Sequence, residues 1–336
     1  MTSWSLPFPA CVIPLGSFVL TWLVLTVLIR IWSDRVLDHP NERSLHQRPV
    51  SRMGGIGVAA GIAASVPLVS PVEWWPLWLG ACILVGISFL DDIIGLPIIG
   101  RLLVHFIVAG GVVAGLLLNH IGVGWALLTI VAIVWMTNLY NFMDGMDGLA
   151  GGMALFGFGF YAYAGALRGH LPFAFTSTAI AAAAGAFLLF NFHPARIFMG
   201  DTGSTLLGFL AACLGLVGWQ LGIWTLWFPG LVFSPFIVDA TVTLARRILR
   251  GEKVWHPHRE HYYQKLVLLG WGHRRTAVVE YVLMMVCGAL ALVYEHTADG
   301  FRFMVVAFLA IGFFVLAKAV HIVEQRVEQG ASVHGR

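Results

Sequence analysis

Hydrophobic residues occur in long unbroken runs along this chain, and polar residues collect in the short segments between the runs. The runs lack the regular apolar/polar alternation of barrel strands, so the backbone of each run can be satisfied in a bilayer only as a helix. About eleven runs are long enough to span a membrane: 12–32, 55–71, 76–94, 102–119, 123–142, 151–167, 172–191, 204–220, 222–244, 276–295 and 301–323. The pattern predicts an all-α, polytopic integral membrane protein.

Composition supports this prediction, because the mean hydropathy is +0.83, with 59% hydrophobic and only 11% charged residues. Such a composition excludes an ordinary soluble domain, and no nucleic-acid partner is expected. The first run, 12–32, lacks a positive segment before it and is long enough to span, so we interpret it as a retained helix and not as a signal peptide. The longest polar connection, 246–275, is about 30 residues. A single transmembrane domain covering 1–336 is therefore predicted.

The four cysteines lie in or beside apolar runs and show no CxxC spacing: Cys11, Cys82, Cys213 and Cys287. This distribution favours buried packing thiols over disulfides or a zinc site.

Lysine and arginine residues are distributed unevenly among the connections. If the N-terminus lies outside, only Arg168 and Arg302 fall in outer connections, and the other 18 of the 20 lie on the inner side. The positive-inside rule then predicts an outer N-terminus and a cytoplasmic C-terminus. With this topology every polar cluster lies in a cytoplasmic loop: 33–54, 91–101, 138–151, 191–204 and 246–275. One cytoplasmic site assembled from five loops is expected.

The segment NLYNFMDGMDGLAGG, 138–152, places two carboxylates and two carboxamides at the end of an apolar run. An acid in a membrane costs about 2.5 to 3.5 kcal/mol at mid-span, so a chemical role is expected. Asp144 and Asp147 are three residues apart and would share one face of a helical turn. The glycines of the segment suit either close helix packing or the approach of backbone amides to a phosphate.

Two further clusters contain acids at predicted helix ends. Asp91 and Asp92 follow the third run and, taken alone, equally suit a solvated helix end. In NFHPARIFMGDTGS, 191–204, Asp201 is followed by hydroxyl residues, an arrangement that suits Mg²⁺ bound through one or two carboxylates and substrate phosphates. The alternative is that Asp201 and Thr202 only cap the next helix.

The segment VWHPHREHYYQKL, 254–266, contains a cluster of cationic and imidazole side chains: His256, His258, Arg259 and His261. Zinc ligation is one interpretation, and a positive-inside anchor is another. Arginine and histidine more naturally bind an anionic diphosphate.

Together these motifs resemble the polyprenyl-phosphate N-acetylhexosamine-1-phosphate transferases, the superfamily that includes the phospho-N-acetylmuramoyl-pentapeptide translocases. The resemblance extends from DHPNERSLHQRPVSRMGG through DDIIG, NLYNFMDGMDGLAGG and NFHPARIFMGDTGS to HPHREHYYQKL. It implies eleven spans, a bacterial inner membrane location, and Mg²⁺-dependent transfer, with Mn²⁺ as a substitute, from a UDP-sugar to polyprenyl phosphate.

The resemblance also assigns residues. Asp201 and Asn141 would bind the metal, and Asp91 and Asp92 would lie at the acceptor phosphate. Asp144 and Asp147 would line the nucleotide site. The remaining substrate-binding residues would be Asn138, Asn191, Phe198, which would stack on uracil, and the group His258, Arg259 and His261 at the diphosphate and sugar.

The HPHREH form lacks the adjacent histidines of the translocase branch and is closer to the branch that initiates O-antigen and related polysaccharides. The expected donor is thus a UDP-N-acetylhexosamine, deoxy forms included, with a muramoyl-pentapeptide donor as the alternative. A secondary transporter of anionic sugars or lipids is the competing class, but transporters place ionisable groups near the bilayer midplane. Direct attack by the lipid phosphate is favoured over an aspartyl-phosphate intermediate, and both monomer and homodimer remain open.

Overall fold

The computed structural model describes residues 12–32, 34–40, 44–253 and 258–334, and helices dominate the described chain. The helices are α1 Val12–Ile31, α2 Gly54–Ser65, α3 Trp75–Ile94, α4 Ile98–Val112, α5 Leu118–Phe142, α6 Leu149–Leu167, α7 Leu171–Asn191, α8 Gly200–Gln220, α9 Trp227–Val232, α10 Ser234–Leu249, α11 Tyr262–Leu266, α12 Gly272–His296 and α13 Asp299–His334. Strands β1 Leu37–Asp38 and β2 Val50–Ser51 form a two-residue antiparallel ladder. The predicted all-α membrane fold is confirmed.

Within the described residues, eight helical stretches are long and apolar enough to cross a membrane. One of them, Ile98–Phe142, contains two predicted spans, because a π-helical turn joins α4 to α5 and Gly122 interrupts α5 with φ 71° and ψ 166°. Helix α2 is short and continues only into a 3-10 turn, Val66–Leu68. The number of eleven spans stays a prediction.

The predicted ninth span, 222–244, is not one helix. It consists of the short helix α9 and the longer helix α10, which meet at Phe233. Pro229 and Pro235 cannot donate backbone hydrogen bonds, and Gly222 has a positive φ of 69°, so the backbone cannot continue as a single helix. The prediction of continuous helix was wrong here because it followed hydrophobicity alone.

Helix α8 occupies the centre of the bundle. It packs against α2, α3 and α5, while α6 packs against α7 and α12, and α1 against α2 and α7. Most of α8 is buried, whereas almost all of α13 is exposed. The start of α8 therefore lies where several helix ends converge.

Two glycines allow α2 to approach the start of α8 closely. A Cβ atom on Gly55 would lie 2.2 Å from the backbone nitrogen of Gly203. The Gly54 and Gly55 amides donate to the carbonyl oxygens of Phe198 and Met199 at 2.8 and 2.7 Å. These contacts join the first polar loop to the segment that carries Asp201.

The prediction that the cysteines are buried is correct for two of the three that the structure describes. Cys213 and Cys287 are buried, but Cys82 is exposed on the outer surface of α3. A lipid-facing position satisfies an apolar thiol as well as a protein core does, which is why hydrophobicity could not distinguish the two. Cys11 lies outside the described residues.

Candidate active site

Asp91 and Asp201 are brought together by a single arginine. Nη1 of Arg101 contacts the Oδ2 atom of Asp91 and donates to Oδ2 of Asp201 at 2.7 Å. The Asp91 side chain is buried, while that of Asp201 is 29% exposed and open to a ligand. The ends of α3, α4 and α8 thus meet at one cation and two carboxylates.

Asp92 has a different environment, because it binds the N-terminus of α8. Its Oδ1 accepts from the Asp201 amide at 3.2 Å, and its Oδ2 accepts from the Thr202 amide at 3.0 Å and hydroxyl at 2.8 Å. A carboxylate at a helix N-terminus is favoured by the helix dipole. Arg52 lies beside it, with Nε 3.7 Å from Oδ1. Asp92 therefore fixes the position of Asp201, and α8 has no side-chain cap of its own.

The two asparagines of the NxxN motif face different helices. Nδ2 of Asn141 donates to the Ser204 hydroxyl of α8 at 3.1 Å. Nδ2 of Asn138 donates to the Val134 carbonyl at 2.8 Å and lies 3.3 Å from Nδ1 of His105 in α4. Asn141 thus lies beside the start of α8, whereas Asn138 lies one turn deeper. Metal binding by Asn141 stays a prediction.

Asp144 lies in the electrostatic field of the same acids. Burial raises its pKa well above the usual value, and the negative charges of Asp201, Asp92 and Asp38 raise it further. Among the described residues, Arg101 and Arg52 are the only cations that form ion pairs with these aspartates. A set of oxygen donors with surplus negative charge fits a hard divalent cation.

Asp147 is separated from Asp144, so the prediction that they share one helical face was wrong. Helix α5 ends at Phe142 and α6 begins at Leu149. The segment between them is not helical, and Gly148 adopts a left-handed conformation with φ 78°. A glycine can adopt this conformation without steric cost. The three-residue spacing of the two aspartates is therefore not sufficient to predict a helical turn here.

Two histidines and one backbone amide surround the Asp147 carboxylate. Nδ1 of His193 lies 2.6 Å from Oδ2, the Ala195 amide donates to Oδ2 at 3.1 Å, and Nδ1 of His273 lies 3.4 Å from Oδ1. Burial by itself raises the pKa of Asp147, but the hydrogen bonds from His273, His193 and the Ala195 amide outweigh it and lower the pKa. Asp147 is therefore ionised at neutral pH.

Asn191 precedes and Phe198 follows the segment that contains His193 and Ala195. Asn191 is buried, accepts from the Gly148 amide at 2.8 Å and donates to the Ile197 carbonyl at 2.9 Å. These bonds hold two loops together. The Phe198 ring is half-buried and packs edge-to-face with the His46 ring, with the two ring centroids 4.9 Å apart. Substrate contact by either residue stays a prediction.

The HPHREH motif does not present one uniform charged surface. His261 is buried, with Nδ1 3.1 Å from Oδ1 of Asp239. The carboxylate of Asp239 also accepts from the Tyr262 and Tyr263 amides at 3.0 and 3.2 Å, and so orders the start of α11. His256 lies outside the described residues.

His258 and Arg259 occupy different environments. Burial, together with the charges of His261 and Arg247, lowers the pKa of His258 to about 4, so its ring is neutral at neutral pH. Arg259 lines a cavity of about 430 Å³ together with Lys265 and Glu324. Contact of these residues with a diphosphate stays a prediction.

Sequence reasoning missed several residues of the site: Arg101, His193 and His273. Arg101 is the first charged residue after Asp92 and begins an apolar run, which is a usable signal. His193 lies inside a motif already singled out. His273 gave no comparable signal, because its partner Asp147 is 126 residues away. Asp239 stands out as an acid within the apolar run 222–244 and could pair with an arginine of the site or lie at the interface, but its partner is His261.

The sequence of the chain is similar to those of several known proteins. Residues 74–218 match the model of glycosyl transferase family 4. The chain is 29% identical over 328 residues to the probable undecaprenyl-phosphate N-acetylglucosaminyl 1-phosphate transferase of Bacillus subtilis, covering 92% of this chain and 91% of that protein. It is 27% identical to the decaprenyl-phosphate N-acetylglucosaminephosphotransferase of Mycobacterium tuberculosis H37Rv, covering 89% and 88% of the two chains.

A more local similarity connects the chain to the phospho-N-acetylmuramoyl-pentapeptide-transferase of Shouchella clausii. The two are 34% identical over 166 residues, which cover 48% of this chain and 50% of that protein. The matched residues of the family model include Asp91, Asp92, Arg101, Asn141 and Asp201. Over residues 74–218 the chain thus resembles glycosyl transferase family 4.

Proposed function

We propose that the protein transfers an N-acetylhexosamine 1-phosphate from a UDP-sugar to polyprenyl phosphate, giving a polyprenyl-diphospho-sugar and UMP. The observation that carries the proposal is the cluster of Asp91, Arg101 and Asp201, in which acids from separate helices meet at the start of α8. The names of the two relatives that align over most of the chain support N-acetylglucosamine as the sugar. The product would initiate O-antigen or a related surface polysaccharide.

In this reaction an oxygen of the lipid phosphate attacks the phosphorus atom that bears the sugar, and UMP leaves. The bond to the anomeric carbon is not broken, so the sugar configuration is retained. A phosphate monoester has its second pKa near 6, so the nucleophile is already mostly ionised at neutral pH. Arg101 would bind phosphate oxygens through its planar guanidinium group. Asp92 would hold α8, and with it Asp201, in place.

We further propose that Mg²⁺ is the cofactor, with Mn²⁺ able to replace it. Asp201 and Asn141 would hold the cation. Asp144 lies close enough to Asp201 and Asp92 for their negative charges to raise its pKa. A bound divalent cation would offset the negative charge of the acids and of both phosphate substrates. The raised pKa of Asp144 and the surplus of carboxylates are what support this assignment.

Direct transfer in one step is the favoured mechanism. Asp91 accepts from the Leu96 amide at 2.6 Å and pairs with Arg101, so both of its oxygens are engaged. Both oxygens of Asp92 are also engaged. Such carboxylates are poorly placed as nucleophiles. Recovery of a phosphorylated Asp91 or Asp92 after acid quenching would contradict the one-step mechanism.

The alternatives have less support. The pentapeptide transferases align with only about half of the chain, whereas the N-acetylglucosamine enzymes align over about nine tenths. A transporter would place its charged residues near the middle of its helices, but Asp91, Asp201 and Asn141 lie at helix ends. An inner-membrane location with this end facing the cytoplasm is part of the proposal.

The test is an assay of UMP release by the purified protein. It would contain undecaprenyl phosphate, one UDP-N-acetylhexosamine at a time from a panel of gluco, galacto and deoxy sugars, and either Mg²⁺ or a chelator. We expect Mg²⁺-dependent UMP release that requires both substrates, with UDP-N-acetylglucosamine the best donor. Sugar uptake into proteoliposomes without UMP release would instead support a transporter.

A further inference from the structure

His105 is a buried polar side chain of α4 that the proposed transfer leaves without a role. It is only 8% exposed. It lies four residues after Arg101, and residues with this spacing share one face of a helix. The charges of Arg101 and Asp91 both act on its ring. His105 therefore lies beside the acid cluster, one helical turn farther into α4 than Arg101.

Asn138 of α5 determines which nitrogen of this ring carries the proton. Nδ2 of Asn138 lies 2.8 Å from the Val134 carbonyl oxygen, which can only accept, so the NH2 end of the amide points there. The same NH2 group lies 3.3 Å from Nδ1 of His105. Nδ1 must then accept a hydrogen bond. The His105 ring is consequently neutral, with its proton on Nε2.

These two hydrogen bonds leave Asn138 with one polar side-chain atom for a ligand. Its N–H groups are used by Val134 and His105, and its Oδ1 makes no hydrogen bond within the described part of the chain. Asn138 is half-buried, and the surrounding residues do not enclose Oδ1. A ligand can therefore reach Oδ1, which can only accept a hydrogen bond.

A group that only accepts distinguishes between the two proposed substrates. The phosphate monoester of the lipid is mostly ionised at neutral pH, so its oxygens also accept and have little to donate. A UDP-N-acetylhexosamine, in contrast, has sugar hydroxyl groups, an acetamido N–H and a uracil N–H. Oδ1 of Asn138 thus suits the UDP-sugar and not the lipid phosphate.

We propose that His105 is a positioning residue, which holds the Asn138 amide so that Oδ1 accepts a hydrogen bond from the UDP-sugar. The inference rests on the proposed function. Without an acceptor at position 105, one N–H of Asn138 loses its partner, and the amide can rotate and present that N–H in place of Oδ1. His105 acts through Asn138 and does not itself bind the substrate.

The experiment compares the kinetics of UMP release by the unmodified protein and by His105→Phe, which keeps an aromatic ring and removes the acceptor. We expect the KM for UDP-N-acetylglucosamine to rise about three- to tenfold, as for one lost hydrogen bond. The kcat and the KM for undecaprenyl phosphate should stay nearly unchanged. His105→Leu, an apolar variant of different shape, should give the same result. His105→Gln, whose side-chain oxygen can accept from Asn138, should restore the KM.

A second pair of variants tests whether His105 acts through Asn138. Asn138→Ala should raise the KM for the UDP-sugar at least as much as His105→Phe does. Adding His105→Phe to Asn138→Ala should change it no further, because residues that act through one contact are not additive. His120→Phe is the matched control, since His120 is exposed near the opposite end of α5. It should behave as the unmodified protein does.

Several results would overturn the role of His105 while leaving the transfer reaction intact. These are an unchanged KM in both apolar variants, additive effects of the His105 and Asn138 variants, or a raised Mg²⁺ requirement at an unchanged KM, since Oδ1 would then bind a cation. Loss of kcat or of folded protein in all three His105 variants would show a structural role instead. Absence of UMP release by the unmodified protein would contradict the proposed function, and the role of His105 with it.

Discussion

The aspartates of the site differ in their surroundings more than in their chemistry. Asp92 and Asp147 are buried and bound by hydrogen bonds from neighbouring backbone amides. Asp201 is partly exposed, and Asp144 has a raised pKa among like charges. We therefore expect the first pair to position other groups and the second pair to be available to a cation or substrate.

Asp201 should be the residue whose loss harms the reaction most. Asp201→Asn keeps the size of the side chain but removes its charge, and we expect transfer to fall by about 100-fold or more, as when one preorganised electrostatic group is removed. Membrane insertion should be unchanged. The control is Asp299→Asn, because Asp299 is highly exposed at the opposite end of the bundle. Full activity of purified Asp201→Asn protein would refute the metal assignment.

Phe198 should affect the nucleotide donor and not the lipid. The half-buried ring lies at the junction of the first polar loop and α8. If it stacks on uracil, Phe198→Ala should raise the KM for the UDP-sugar several-fold, since a stacking contact is worth about 1 to 3 kcal/mol, and leave the KM for polyprenyl phosphate nearly unchanged. Phe198→Tyr, which keeps the aromatic face, is the comparison. Equal changes in the two KM values would argue for a structural role.

Sequence could identify most acids of the site but not their partners. Asp91, Asp201 and Asn141 were recognisable because they stand in motifs at the ends of apolar runs. The contact of Arg101 with both Asp91 and Asp201 was not predicted, because these partners are 10 and 100 residues away from it. The neutral state of His258 and the burial of His261 come from tertiary contacts, which spacing does not encode.

At the scale of helices, the glycines of α2 are as important as the acids. Gly55 packs directly on the backbone of Gly203, so α2 reaches the start of α8 without intervening side chains. Hydrophobic runs predicted most helices, including α1, α3, α6 and α7, to within a few residues. The break between α9 and α10 and the shortness of α2 arise from proline, glycine and loop geometry, which a hydrophobicity pattern does not contain.

Gly55→Ala should separate α2 from α8. The new methyl group would lie 2.2 Å from the Gly203 nitrogen, and the nearest atoms are backbone, which cannot move aside. We expect a loss of about 1 to 3 kcal/mol in stability, as for overpacked cores, together with reduced activity because Asp201 is displaced. Gly86→Ala in α3, where no atom lies within 4 Å, is the matched control and should leave the thermal midpoint unchanged or higher. Identical melting of the two variants would show that α2 tolerates the shift.

At the scale of the whole molecule, the five predicted loops do converge at one end of the bundle. Contacts between Arg52 and Asp92, Asn141 and Ser204, and Leu45 and His273 connect these loops. Convergence could be predicted because hydrophobic spans alternate in direction across a membrane. Which end faces the cytoplasm depends on charge distribution and stays a prediction.

Labelling of introduced cysteines would decide the orientation. In a cysteine-free background, Arg168→Cys and Arg250→Cys place thiols at exposed sites predicted to lie outside and inside, respectively. A membrane-impermeant maleimide added to intact spheroplasts should label only position 168, and position 250 should react after permeabilisation. The opposite pattern would invert the topology and place the site on the outer side.

The length of helix α13 indicates the depth in the membrane at which neighbouring residues lie. Its apolar part, 301–323, would be about 35 Å long at 1.5 Å per residue, close to the thickness of a bilayer core with a modest tilt. Glu324 follows immediately and pairs with Lys265 of α11 at 2.8 Å. That ion pair therefore marks the level of the lipid headgroups. The first residues of α11, which Asp239 orders, would lie at the height where a phosphate carried by a lipid is anchored.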